Sequence, residues 1–96
     1  MKLAYAAEAV ADLIRLRAFI AQKNPAAAAR IAALLITRIE HIRDFPELGR
    51  RVAFAPEPQV VRDAVFGSHI VRYSVHVETV VVLRIWHHKE EREPHV

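Results

Sequence analysis

Between Ala7 and Gln22 the apolar residues Ala9, Leu13, Leu16 and Ile20 recur at the spacing of one helical face, with Glu8, Asp12 and Arg15 on the other side. Asn24-Pro25 then interrupts the pattern. Asn is a preferred N-cap and Pro is pre-organised for a first helical position, so a second helix is predicted from Pro25 to about Asp44, with Ile31, Leu35, Ile39 and Ile42 as its buried stripe. Two long helices joined by so short a turn form an antiparallel hairpin. A short strand, Lys2 to Tyr5, precedes them. Pro46 biases Phe45 out of helical geometry, and a loop containing Pro56 and Pro58 follows. From Gln59 the period changes to two. Gln59 to Phe66, His69 to Val75 and Val80 to His87 read as three strands, with turns at Gly67-Ser68 and around Glu78-Thr79. The predicted fold is α+β: a short N-terminal strand, then an antiparallel helical hairpin packed on one face of an antiparallel sheet that ends in a three-stranded meander. The other sheet face is left open or covered by something else.

Composition divides the chain in the same place. Thirteen of 16 alanines precede residue 45 and 11 of 12 valines follow residue 50, so helix formers come first and strand formers second. With 96 residues and 53% apolar content, residues 1–96 are expected to form a single domain with its own core. The absence of cysteine removes disulfides, thiolate metal sites and Cys nucleophiles, and is compatible with a reducing cytosol. The early acidic residues Glu8 and Asp12, and the lack of any apolar run of about 18 residues, lead us to expect neither a secretory leader nor a membrane span. The formal charge of +3 is modest, but it comes from 11 Arg and only 3 Lys. Arginine pairs bidentately with phosphate and carboxylate, which points to an acidic partner unless the bias is simply that of a GC-rich genome.

Several local patterns recur in one known order. Ala9-Val10-Ala11-Asp12-Leu13 with Phe19-Ile20-Ala21, Asn24-Pro25-Ala26-Ala27-Ala28, and Phe45-Pro46-Glu47-Leu48-Gly49-Arg50 are followed by Arg62, Gly67-Ser68-His69-Ile70-Val71-Arg72-Tyr73 and Val82-Leu83-Arg84 leading to His87. In this order the chain resembles the RelE/ParE superfamily of toxins from type II toxin-antitoxin modules, and is closer to ParE. The resemblance implies a cytoplasmic, growth-inhibiting toxin of the kind associated with plasmid stabilisation, without a cofactor. It would be silenced by a cognate ParD-like antitoxin, in a complex that can be of higher order, and would not bind DNA without that antitoxin. ParE-like members inhibit DNA gyrase by binding; RelE-like members are ribosome-dependent mRNA endonucleases. The ParE reading makes this chain an inhibitor rather than an enzyme, with Arg62, Arg72, Arg84 and His87 as target-binding residues. On the alternative reading it is an endoribonuclease, with His87, Arg72 and Arg84 as its catalytic groups.

Metal-free RNA cleavage needs a group to activate the 2′-hydroxyl, a cation for the charged phosphorane and an acid for the leaving oxygen. A RelE-type nuclease would carry cations where this chain has Ala64 or Phe66, Ile70 and Glu90, and Glu90-Glu91 would repel a phosphate. The ParE reading is therefore preferred. Strand parity places Arg72, with Ile70 and Ser74, on the open face; there it is either a contact for an acidic target or antitoxin surface, or a solvated cross-strand charge. Arg84 shares parity with Val80, Val82 and Trp86, which read as core. A structural role is therefore preferred for Arg62 and Arg84, bound to backbone carbonyls or to carboxylates such as Asp44 or Glu47, with target binding as the alternative.

His87 and His88 should point to opposite faces of a strand and His95 lies in a charged tail, so no metal site is expected. Ile14, Leu34 and Ile36 enlarge the apolar surface of the hairpin, either as a broader core stripe or as a contact patch for the antitoxin or a second toxin copy. Val81, Leu83 and Ile85 do the same for the open sheet face, where an amphipathic antitoxin helix would bury them beside Arg72.

Overall fold

The computed structural model describes residues 1–55 and 60–90; the Pro56-Pro58 loop, Gln59 and the charged tail with His95 lie outside them. Its order is β1 (Lys2–Tyr5), α1 (Ala7–Lys23), α2 (Pro25–Asp44), β2 (Arg50–Arg51), β3 (Val61–Phe66), β4 (His69–Val75) and β5 (Thr79–His87). The hairpin forms as predicted because Asn24 serves both helices. Its N–H closes α1 on the Ile20 carbonyl, and its side chain accepts from the Ala27 N–H at 3.1 Å, with Pro25 in the first turn of α2.

The strands make one five-stranded sheet in the order β1-β5-β4-β3-β2. β3, β4 and β5 form the expected antiparallel meander, and Gly67, with φ +60°, makes the β3–β4 turn. The sheet is mixed rather than wholly antiparallel, because β1 runs parallel to β5, with Leu3 opposite Val80 and Tyr5 opposite Val82. The two-residue strand β2 is too short to leave a periodic signal. The helices cover one face, and Leu16, Leu35, Ile39 and Ile42 pack there against Val71, Tyr73, Val80, Val82 and Ile85.

A β-bulge changes the parity of the last strand. Tyr73 lies opposite Val82 but Arg72 lies opposite Arg84, so Leu83 is an extra residue. Val80 and Val82 face the helices as expected, but beyond the bulge it is Ile85 that is fully buried there. Arg84 and Trp86 turn to the opposite face. The expected open-face triplet of Val81, Leu83 and Ile85 is therefore broken: Ile85 belongs to the main core, and Leu83 packs into a second small cluster.

That second cluster explains what covers part of the open face. Val52 and Ala55, from the chain after β2, pack with Val60, Val61 and Leu83. In register across β3, β4 and β5, the face then reads as three rows: Val61, Ser74 and Val81 under or beside this cluster; Asp63, Arg72 and Arg84; and Val65, Ile70 and Trp86. No helix among the described residues is long and apolar enough to cross a membrane.

Candidate functional site: the arginine row and the histidine end of the sheet

The middle row contains two of the three arginines singled out by sequence. Arg72 is on the open face, as parity predicts, but only 3% exposed. Its Nε and Nη2 donate to the two carboxylate oxygens of Asp63 at 2.8 and 2.9 Å, and the Trp86 ring lies 5.2 Å from the guanidinium carbon. A bidentate carboxylate on one side and an aromatic face on another are what a guanidinium accepts when it leaves water. Arg72 is thus not a solvated cross-strand charge but a buried one, paired with Asp63 beside Trp86.

Arg84 is structural, with a partner different from the expected one. Its Nε and Nη2 donate to Asp12 of α1 at 2.9 and 3.2 Å, and the Ile85 N–H donates to the same carboxylate at 2.8 Å. β1 stops at Tyr5, so β5 has a free edge at Ile85, and the carboxylate of the following helix takes that edge N–H. Asp12 is buried, contrary to its assignment to the solvent side of α1. The signal was in the spacing: Asp12 lies three residues after Ala9 and four before Leu16, within the buried stripe. Burial acts to raise the Asp12 pKa, but hydrogen bonds from Arg84, the Ile85 N–H and Arg15 outweigh it and hold it below the usual range. The Arg84 pKa is raised, first by that hydrogen bond.

Arg62 donates to the Gly49 carbonyl at 2.7 Å, a backbone carbonyl as the structural reading has it. Its cross-strand neighbour Tyr73 accepts from the Gly49 N–H at 2.7 Å and donates to the Pro46 carbonyl at 2.7 Å. Sequence reasoning missed Tyr73, to which it assigned no role of its own. It locks the Phe45–Arg50 turn onto the sheet.

At the other end of the sheet His69, His87 and His88 make contact. His69 and His87 meet edge to face with centroids 5.4 Å apart, and His87 stacks on His88 at 4.7 Å and 27°. The two adjacent histidines do not point to opposite faces, because β5 ends at His87 and the chain turns. His88 Nδ1 lies 3.2 Å from the Ser68 carbonyl, an acceptor only, so it carries a proton; His87 Nδ1 accepts the Lys89 N–H at 3.1 Å, so it does not. Burial lowers the His69 pKa, helped by His87 and His88 and opposed by Glu90. Glu90 closes the turn, accepting from the His87 N–H at 2.8 Å and from Arg15 at 2.7 Å. Among the described residues no group of three His, Asp or Glu side chains is placed to hold a metal ion.

Beside His69 lies an open cleft of about 260 Å³ between α2 and the β3–β4 turn, lined chiefly by Ile31, Leu34, Leu35, Arg38, Phe66 and His69. The expected apolar surface of the hairpin is present, since Ile14, Leu34 and Ile36 are all exposed.

A helical hairpin on one face of a small mixed sheet, with an arginine row on the other, defines a compact two-layer α+β domain. A solved structure, the chromosomal ParDE toxin-antitoxin system from P. aeruginosa, shares this fold with a TM-score of 0.78, covering 91% of this chain and 95% of that one at 19% identity. Among curated proteins, Toxin RelE3 of Caulobacter vibrioides is 34% identical over 85 residues, covering 84% of this chain and 87% of the relative. Toxin RelE2 of the same organism is 37% identical over 79 residues, covering 82% and 85%. The family model described as ParE toxin of type II toxin-antitoxin system, parDE, matches residues 3–92. The chain belongs to this family of type II toxins, within the ParE/RelE superfamily.

Proposed function

We propose that this toxin acts in the cytoplasm by binding DNA gyrase, and that a cognate ParD-like antitoxin silences it. The observation that carries the reading is the engagement of all three candidate arginines inside the fold: Arg62 on Gly49, Arg72 on Asp63 and Arg84 on Asp12. A phosphate-cleaving site needs cations aimed at the reacting oxygens. Here the guanidiniums hold the sheet, the β2 turn and α1 together. Glu90 also places a carboxylate next to His87. The row Val65, Ile70 and Trp86, with the Arg72–Asp63 pair beneath Trp86, is then the surface offered to a protein target.

A second reading is supported by the RelE names of the curated relatives: ribosome-dependent mRNA cleavage with His87 as the acid or base. One experiment separates the two. The toxin is induced alone, and the order of DNA breaks, SOS induction and mRNA cleavage is followed, with supercoiling by purified gyrase measured in parallel. Gyrase inhibition with early DNA damage is the expected result, whereas early mRNA cleavage with unaffected gyrase favours the second reading.

A further inference from the structure

The open sheet face was the expected seat of the antitoxin, through Val81, Leu83 and Ile85, yet two of those three residues are taken up by packing inside the chain. Ile85 is in the main core, and Leu83 and Val61 pack with Val52 and Ala55. The cleft between α2 and the β3–β4 turn is different. Its wall is aliphatic and aromatic through Leu34, Leu35 and Phe66, and Leu34 at its rim is 51% exposed. At about 260 Å³ it falls below the range of small-molecule sites, roughly 300–1,000 Å³, and suits one or two aliphatic side chains. Gly67 also lines the cleft, and apart from its chain neighbours no atom lies within 4 Å of where a Cβ would stand on it.

Charge then selects the occupant. The lining contains Arg38 and His69 but no carboxylate, and Arg38 has no ion-pair partner among the described residues. Arg30, Leu34 and Arg38 follow one another at four-residue spacing, so a cation sits one turn to either side of Leu34. An aliphatic group held between two cations needs a partner that is apolar and acidic together.

We propose that this cleft is the docking pocket for an acidic, aliphatic segment of the cognate antitoxin, with Leu34 and Phe66 receiving its apolar side chain and Arg38 its carboxylate. The proposal rests on the toxin-antitoxin reading and assigns the grip to α2 and the β3–β4 turn rather than to the open sheet face. The test uses separately purified toxin and antitoxin, the latter from the neighbouring gene, with affinity measured by calorimetry. Leu34→Asp and Arg38→Glu are each expected to weaken binding at least tenfold. Both positions are exposed, and circular dichroism checks that the variants fold. Val77→Asp, at a turn residue 94% exposed and outside the cleft, is expected to leave binding unchanged. Hydrogen exchange on the wild-type complex should show protection at residues 31–38 and 66–69. Wild-type affinity in both cleft variants, or protection confined to other surfaces, overturns the pocket while the toxin-antitoxin reading stands. A wild-type chain that binds no antitoxin overturns both.

Discussion

Arg62 and Tyr73 face each other across β3 and β4 and hold the two sides of one residue, Gly49: Arg62 donates to its carbonyl and Tyr73 accepts from its N–H. The turn after α2 is thereby fastened to the middle of the sheet. The fit leaves no room for a side chain, since a Cβ on Gly49 would come within 2.8 Å of the Asp63 carbonyl group and of the Tyr73 hydroxyl. Gly49→Ala is expected to cost about 1–3 kcal/mol, the usual range for overpacking. Tyr73→Phe leaves the buried Gly49 N–H without its partner, at a cost of about 1–3 kcal/mol. In a double variant the two costs should not add, because both act on the same contact. Urea unfolding of the three variants tests this, and strict additivity would show that the hydroxyl and the glycine do not act as one unit.

Asp12 gives stability a defined acid limb. Its folded pKa is lowered, so between that value and the ordinary one near 4 the unfolded chain binds more protons than the folded one. Its contribution is therefore present above about pH 4 and lost as pH falls through the folded value. His69 adds an earlier window of the same sign. A histidine kept neutral by burial and by His87 and His88 favours the folded state above its ordinary value near 6.5, and that advantage declines as pH drops below it. Urea midpoints between pH 8 and pH 3 should show two steps. His69→Gln should flatten the first and Asp12→Asn the second. At pH 7, Asp12→Ala should cost about 3–5 kcal/mol, because it strands Arg84 and the Ile85 N–H.

The Tyr5 hydroxyl is buried without a hydrogen-bond partner in the described structure. Burial, with a smaller contribution from Glu40, raises its pKa and keeps it protonated. A buried hydroxyl that has lost water and gained nothing in exchange is a net cost. Tyr5→Phe should be neutral or stabilise the fold by up to about 1 kcal/mol. A clear fall in melting temperature would mean that the hydroxyl has a partner after all.

How much of this was legible in the sequence follows from how local each determinant is. Asn24-Pro25 and Gly67-Ser68 act within a few residues of themselves, so the hairpin and the β3–β4 turn could be read with nearly their observed boundaries. The bulge at Leu83 could not, because it exists only in the register between β4 and β5, and a single extra residue exchanges the faces of everything after it. That is why Ile85 was expected outside and Arg84 inside. Arg62 and Arg84 could be recognised as structural, since a charge near a core must be paired. The identity of Arg84's partner could not be recognised, because Asp12 is 72 residues away and its role depends on where β1 stops.

The Arg72–Asp63 pair separates support of the fold from contact with a target. Arg72 is buried under Trp86, whereas the Asp63 side chain is 26% exposed, so Asp63 can regain some water if Arg72 is removed. Arg72→Met is expected to destabilise by about 3 kcal/mol, the low end for breaking a buried pair. Arg72→Lys should fall in between, because an ammonium keeps the charge but loses the two-pronged geometry and the planar stacking. Replacing both partners, Arg72→Met with Asp63→Leu, removes the two charges of the pair together, so the double variant should be more stable than Arg72→Met alone. If Arg72 serves only the fold, that double variant should arrest growth as the wild-type toxin does. A double variant that is folded, as judged by its melting temperature, but no longer toxic would show that the guanidinium meets the target directly.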